Sequence, residues 1–291
     1  MAKQQRTQVV ASPEPAAPRR SSRATWAETT SAFNDWYLHR IPGGMGRTCP
    51  RAPINLHKAL VGPLVLALML ARGDFSLAAF LYLALHGSYG ILWVVKDVAF
   101  PDPSWRTPCS IGSAVAVFVY PLGLYLLAPL VMLTPLGGWV PGGWGTTASL
   151  PVPVAFAAVV LFVVGAFLHF VADAQKHFVL AHQRPRRLIT TGLFAATRNP
   201  NYLGEILIYA AFCLLAQHWF PWVACLYVWV TIFLPNMLAK DRSMSRYPEH
   251  AAWKARTGLL LPSLVTLLRA LPLVLRNERH DGTPVPPAAG D

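Results

Sequence analysis

The chain has 291 residues, 54% of them hydrophobic and only 13% charged, with a net charge of +12 and a mean hydropathy of +0.39. Soluble domains carry about 25% charged residues, so an ordinary water-soluble fold is excluded. The basic excess sits at the ends of apolar blocks, with no basic recognition helix and no zinc spacing, which removes nucleic acid as a partner.

Residues 1–52 are rich in Ala, Pro, Ser and Arg, a composition that buries too little surface to fold alone. This stretch is expected to be a disordered basic cytosolic tail. It has no apolar core of signal-peptide length. Within it, Ala32 to Arg40 is expected to form a short interfacial helix with Trp36 and Tyr37 at headgroup level. Residues 53–276 form the expected membrane domain, and 277–291 a second disordered tail. Six apolar runs follow the first tail, at about 56–71, 75–95, 110–133, 151–172, 203–218 and 220–239. Each approaches the roughly 17–25 residues that cross a bilayer as a helix. The expected fold is therefore all-α: a polytopic membrane helical bundle of about six transmembrane helices plus a C-terminal interfacial helix. Gly62-Pro63 marks a kink in the first run. The few residues around Gln217 to Pro221 make the last two runs an antiparallel hairpin.

Charge partition tests the count. With six spans, both termini and loops 96–109 and 173–202 share one side. Every Lys and Arg but Arg72 then falls on that side, with Lys58 tallied among the N-terminal residues. The positive-inside rule makes that side, and both termini, cytosolic. A seventh span at 259–275 would break the pattern. That segment holds Arg269 and Pro272 and reads better as an interfacial helix. Four Cys occur, at 49, 109, 213 and 225, without CxxC spacing; they are read as free buried thiols, with no metal site.

The polar density gathers in three stretches on the cytosolic side. The first is DAQKH, where Asp173, Lys176 and His177 share one helical face at i, i+3 and i+4. The second is the loop HQRPRRLITTGLF, with Arg184, Arg186 and Arg187. The third is RNPNYLGE, where Pro200 suits the first turn of a helix. There Asn201 and Glu205 stack at i, i+4, with Arg198 and Tyr202 alongside. Beyond the sixth span, Lys240, Asp241 and Arg242 leave the membrane, and Tyr247, Trp253, Lys254 and Arg256 follow; Trp253 is equally readable as an interfacial belt residue. Ionisable groups are costly near hydrocarbon and usually mark a site. The six cations Arg184, Arg186, Arg187, Arg198, Lys240 and Arg242 suit a ligand with several phosphates. Positive-inside bias alone is the competing account of the same pattern. No GxGxxG follows a strand, which excludes a Rossmann site.

The segments ADAQK, TGLFAATRNPNYLGE and RYPEHAAWKARTGLLLP, between Phe167 and Pro262, resemble the C-terminal half of the steroid 5α-reductase superfamily, in its little-characterised branch. Isoprenylcysteine carboxyl methyltransferases share the architecture and a similar R-H-P-x-Y-x-G element. The resemblance implies a cofactor half at about 167–262. It implies NADPH if the chain is a reductase and S-adenosylmethionine if it is a methyltransferase. Carried onto matching positions, it implies cofactor contacts at Asp173, Lys176, Arg187, Arg198, Asn201, Tyr202 and Glu205, and further on at Lys240, Asp241 and Tyr247. Asn201 and Glu205 would suit the carboxamide of a nicotinamide. Asn199 stands where the family more often has His, so no acid/base role attaches to that position. Methyltransferases of this kind tend to show an Arg and paired Glu where this chain has Lys240-Asp241-Arg242, which favours the reductase.

In the N-terminal half, His86, Tyr89 and Trp93 share a helix face with Tyr82 a turn earlier. Tyr89 or Tyr82 is the candidate proton donor and His86 its assistant; helix packing through hydrogen bonds is the competing account. Lys96-Asp97 is read as a boundary ion pair, with closure of the cofactor pocket as the alternative. The leading expectation is an NADPH-dependent reductase of a C=C bond in a lipophilic (sterol-, steroid- or enoyl-lipid-like) molecule drawn from the bilayer among membrane lipids. The alternatives are an S-adenosylmethionine-dependent lipid or isoprenylcysteine-type methyltransferase and a non-catalytic membrane lipid-binding protein. The expected compartment is the endoplasmic reticulum in a eukaryote and the plasma membrane in a bacterium.

Overall fold

The computed structural model describes residues 25–43, 48–140 and 150–263. The outer parts of both tails, the uncharged loop 141–149 and most of the expected 259–275 helix lie outside the described residues. Among the described residues there is no strand, only two isolated bridges, Thr48 to Cys109 and Thr197 to Gly258.

The α-helices are α1 (Trp26–His39), α2 (Arg51–Arg72), α3 (Leu77–Ala99), α4 (Ile111–Val119), α5 (Leu127–Leu133), α6 (Leu136–Trp139), α7 (Val152–His182), α8 (Pro200–Ala216), α9 (Trp219–Val228), α10 (Leu234–Met244) and α11 (His250–Arg256). A π turn joins α9 to α10 without a break; between α4 and α5 the helix is interrupted by extended backbone at Tyr120 before a 3₁₀ turn resumes it, and each pair makes one apolar span. Among the described residues, five spans are long and apolar enough to cross a membrane, at Arg51–Arg72, Leu77–Ala99, Ile111–Leu133, Val152–His182 and Trp219–Met244. The sixth, α8, has 17 residues. That is about 25 Å at 1.5 Å per residue, a little short of a hydrocarbon core of about 30 Å. By the same rise α7, with 31 residues, is about 46 Å long. Its last turns therefore extend beyond the core and carry Asp173, Lys176 and His177.

Glycines set the helix spacing. A Cβ at Gly204 of α8 would meet the backbone of Gly165 and His169 on α7, and one at Gly165 would meet Gly204 O at 2.7 Å. The two backbones touch, which is how small residues drive helix association where lipid removes the hydrophobic force. Gly90 of α3 lies in the same way against the carbonyl of Lys58 on α2. The hairpin between α8 and α9 turns at Gln217 in the left-handed region (φ 48°), and Cys213 and Cys225 face each other across it at 3.6 Å.

Three expectations change. The N-terminal helix begins at Trp26, not Ala32, because Thr25 and Glu28 form a capping box there. It packs along α10, where Arg242 pairs with Glu28. Lys96 and Asp97 do not pair with each other, since neighbours on a helix do not face one another. Lys96 instead pairs with Asp173 of α7 at 2.5 Å, and Asp97 with Arg51 and Asn55 of α2. Lys58, tallied with the tail, lies inside α2 and is 2% exposed.

Candidate functional site

The three C-terminal stretches meet at one end of the bundle, largely through side chains that bond to backbone groups. Arg198 N–H donates to Gly258 O (2.9 Å) and Thr197 Oγ1 to Leu260 O (2.7 Å). Asn199 Nδ2 donates to Leu259 O (2.9 Å), and its Oδ1 accepts from Lys240 Nζ (3.3 Å). The segment after α11 thus folds back over the start of α8. Asn199, 1% exposed, acts here as a tie. Gln175 performs a similar task beside Asp173. Its amide donates to Thr191 O and accepts from Leu193 N–H, gripping the turn at Gly192. Gly192 has φ +58°, and a Cβ there would strike the Gln175 amide.

Asp241 is the centre of a buried ionic knot. Its carboxylate forms an ion pair with Arg198, Oδ1 lying 3.0 Å from Nε, and accepts from Lys254 Nζ (2.7 Å) and His250 Nε2 (3.3 Å). Arg198 also donates to Thr257 O at 2.6 Å. Trp253 is 1% exposed and donates to Phe194 O at 2.7 Å, so it is a core residue and not a belt aromatic.

These ties frame a cavity of ≈ 390 Å³ between α1, α2, α3, α7, α8 and α10, within the roughly 300–1,000 Å³ usual for small-molecule sites. Its polar end carries Lys96, Asp173, Lys176, Asn201, Glu205 and Lys240, with Trp105 near Asp102 in the α3–α4 connection. Its apolar end is walled by Trp93, Leu122, Tyr125 and Phe233. A second space of ≈ 130 Å³ shares Lys176 and Lys240 with the first and adds Arg187, Arg198, Arg246 and Tyr247. An open cleft beyond it shares Arg187, Leu188 and Ile189 and reaches Thr190 and Thr191. Together they trace a path of cations leading outward from the cavity.

Lys176 crosses to Asp102 in the α3–α4 connection at 3.0 Å. Burial would raise the Asp102 carboxyl. Lys176 and two hydrogen bonds from Ser104 outweigh it and hold the group at about 2. Two acceptors at the polar end have no donor. Asn201 Oδ1 is buried without a hydrogen-bond partner, and Glu205 makes no ion pair or side-chain hydrogen bond among the described residues. Beside them His169 Nδ1–H donates to Asn201 O (3.1 Å), leaving Nε2 as a buried acceptor without a partner.

Of the residues expected to hold a cofactor, Asp173, Lys176, Asn201, Tyr202, Glu205 and Lys240 line the cavity. Arg187, Arg198 and Tyr247 line the adjoining space. Asp241 lines neither and is occupied by the knot. Arg184 and Arg186 line neither space; Arg184 caps the end of α7 by donating to Leu180 O. Arg242 is held by α1. Tyr82 and His86 are fully buried and share a hydrogen bond of 2.9 Å; neither they nor Tyr89 line the cavity. They form a packed layer behind it, His86 stacking on Phe212 at 4.0 Å.

Among the lining residues that escaped the sequence reading are His169 and Lys58. His169 lies one turn before Asp173 on the same face, a spacing that was available. Lys58 interrupts an apolar run, which was itself the signal.

A family match falls on this region. A family described as "Protein of unknown function (DUF1295)" matches residues 144–258, which contain α7, α8 and the knot. A probable 7-dehydrocholesterol reductase of Acanthamoeba polyphaga mimivirus is 29% identical over 76 residues, 25% of this chain. The chain spans only 17% of that relative's length. Together these matches support a reductase-like family.

Proposed function

We propose that the protein is a membrane-embedded, NADPH-dependent reductase of a C=C bond in a lipophilic substrate. The observation that carries this reading is the pair of acceptors without donors, Asn201 Oδ1 and Glu205, at the polar end of a cavity whose other end is aromatic. A primary carboxamide brings two N–H donors and satisfies both. Lys176 and Lys240 then stand between this point and Arg187 and Arg246, the order in which a dinucleotide would need cations for its pyrophosphate and 2′-phosphate. The residues therefore fit the cofactor. Bound there, NADPH supplies a hydride. The chain's own part is to orient the ring through Asn201 and Glu205, to neutralise phosphate through the cations, and to exclude water with the aromatic wall. The similarity to a protein named as a sterol reductase agrees with a lipophilic substrate. Entry of the substrate from the bilayer and of the nucleotide from the cytosol follows from the same division.

Titration of the purified protein with NADPH and, separately, S-adenosylmethionine tests the assignment. NADPH should bind, and Asn201→Ala or Glu205→Ala should weaken it about tenfold each, one lost hydrogen bond at a desolvated site. Unchanged affinity in both variants refutes the carboxamide contact. Binding of S-adenosylmethionine in its place makes the chain a methyltransferase, and binding of neither a lipid-binding protein. Lipid extracts of cells with and without the protein separate the two chemistries by mass, hydrogenation against methylation.

A further inference from the structure

The α8–α9 hairpin brings together two groups that the candidate site does not use. Cys213, near the end of α8, and Cys225 of α9 are free thiols whose sulfurs lie 3.6 Å apart. Both are buried, at 1% and 4% exposure. The turn between them is fixed at both of its residues. Gln217 ends α8 in the left-handed region. His218 caps α9: its Nδ1 accepts from Phe220 N–H (3.0 Å), so its Nε2–H donates to Val140 O (2.9 Å). With the turn tied in this way the two sulfurs stay opposed. To bond they close from 3.6 Å to about 2.05 Å, a step shared between two side chains. The pair lies toward the end of the bundle opposite the candidate site. α8 begins at Pro200, beside the Arg198–Asp241 pair, and ends at Ala216, about 25 Å away; Cys213 is within one turn of that far end. Cys49 and Cys109 sit at the site end. Cys109 N–H donates to Thr48 O (3.0 Å), and Asp102 in the same α3–α4 connection pairs with Lys176.

We infer that Cys213 and Cys225 are a redox modification site: in the native membrane they are joined by a disulfide that staples α8 to α9, while Cys49 and Cys109 remain thiols. The inference goes beyond the reductase reading and rests on the hairpin geometry and the proposed orientation. With the site end toward the cytosol, the hairpin turn faces the lumen or periplasm, where disulfides form and persist. The chemistry is two thiol–disulfide exchanges. One cysteine, as thiolate, attacks a disulfide of a lumenal or periplasmic oxidoreductase and releases its first thiol. The other cysteine then displaces the second thiol from the mixed disulfide. Two thiols of this chain are oxidised to one disulfide, and the donor disulfide is reduced to two thiols. Both sulfurs are buried once the hairpin has packed, so the exchange takes place as the hairpin assembles. The bond has a consequence for the cavity. α8 brings Asn201, Tyr202 and Glu205 to it, and α9 continues through the π turn into α10, which brings Asn236 and Lys240. The disulfide ties these two walls together at their far end.

The test uses the full-length protein from the membrane of its source cell, with iodoacetamide present from lysis, unfolded without reductant and digested with trypsin. No Lys or Arg occurs between Arg198 and Lys240, so both cysteines fall in one fragment, residues 199–240. That fragment should carry no alkyl group and be lighter by two hydrogens than its reduced form. The fragments holding Cys49 and Cys109 should each carry one alkyl group. Cys213→Ala should leave Cys225 alkylated, a readout taken after unfolding and so independent of the variant's stability. In the unaltered protein, reductant should lower the melting temperature by about 5–10 °C, the worth of closing so short a loop; it should change nothing in Cys213→Ala. Alkyl groups on both cysteines of the 199–240 fragment overturn the inference, whether or not an added oxidant closes the pair in detergent. So does an equal block at Cys49 and Cys109, which removes the contrast between the two ends. NADPH titration is read separately, so a failed reductase reading leaves this outcome unaffected.

Discussion

Asp241→Asn should loosen the cofactor end of the bundle while leaving its shape and volume almost unaltered. The carboxylate is 6% exposed and Arg198 is 7% exposed, and they meet at 3.0 Å. Neutralising it leaves the Arg198 guanidinium buried with only the carbonyls of Thr257 and Lys254. Removing one partner of a buried ion pair costs about 3–5 kcal/mol, because the surviving charge stays desolvated. Those two carbonyls still accept, so the low end, about 3 kcal/mol, is expected. For domains of roughly 150–250 residues that lowers the melting temperature by about 6–12 °C. Lys254 supplies the control. Its side chain is 52% exposed although it sits 2.7 Å from the same carboxylate, so Lys254→Ala should cost under about 1 kcal/mol. Thermal unfolding of both variants in one detergent, followed by tryptophan fluorescence, reads the contrast directly, since Trp253 sits beside the knot. Equal, small losses in the two variants would refute the claim that the Arg198–Asp241 pair, and not the peripheral lysine, holds the knot.

Gly204→Ala should destabilise by about 2 kcal/mol, within the usual range for overpacking, because its Cβ would meet His169 Cα at 2.9 Å; a neutral melt would mean that α7 and α8 do not touch there. The Lys176–Asp102 tie should be lost in acid. Asp102 falls from 3.8 unfolded to about 2 folded, so the tie stabilises above pH about 4 and fades as pH falls to about 2. Both side chains are partly exposed (36% and 21%), so the gain is about 1 kcal/mol. Asp102→Asn should erase that part of the pH dependence in a melting series, and an unchanged slope would count against the pair.

Much of the candidate site was legible as composition. Asn201 and Glu205 share a face because i, i+4 always do on a helix, and the structure brings both to the cavity. Partners were not legible. The resemblance implied ligand contacts at Asp241 and Arg198, yet the two pair with each other, and of them only Arg198 also lines a space beside the cavity. Tyr82 and His86 carried the right chemistry in the right order, but the face they occupy packs on Phe212 and not on the cavity. The Lys96-Asp97 pair failed for a local reason: adjacent helix positions point about 100° apart and reach different neighbours.

The sequence by itself determined the class. Long apolar runs with no charge can only be helices in lipid, since their backbones must bond to themselves, and the one-sided distribution of Lys and Arg bounded the number of crossings. Only the tertiary structure decided which polar groups are free to meet a ligand. That depends on what lies opposite each one across the bundle, and residues as distant in the chain as Lys58 and Tyr209 become neighbours through helix crossings set by glycines. Helical periodicity tells which residues share a face; it says nothing about what that face meets.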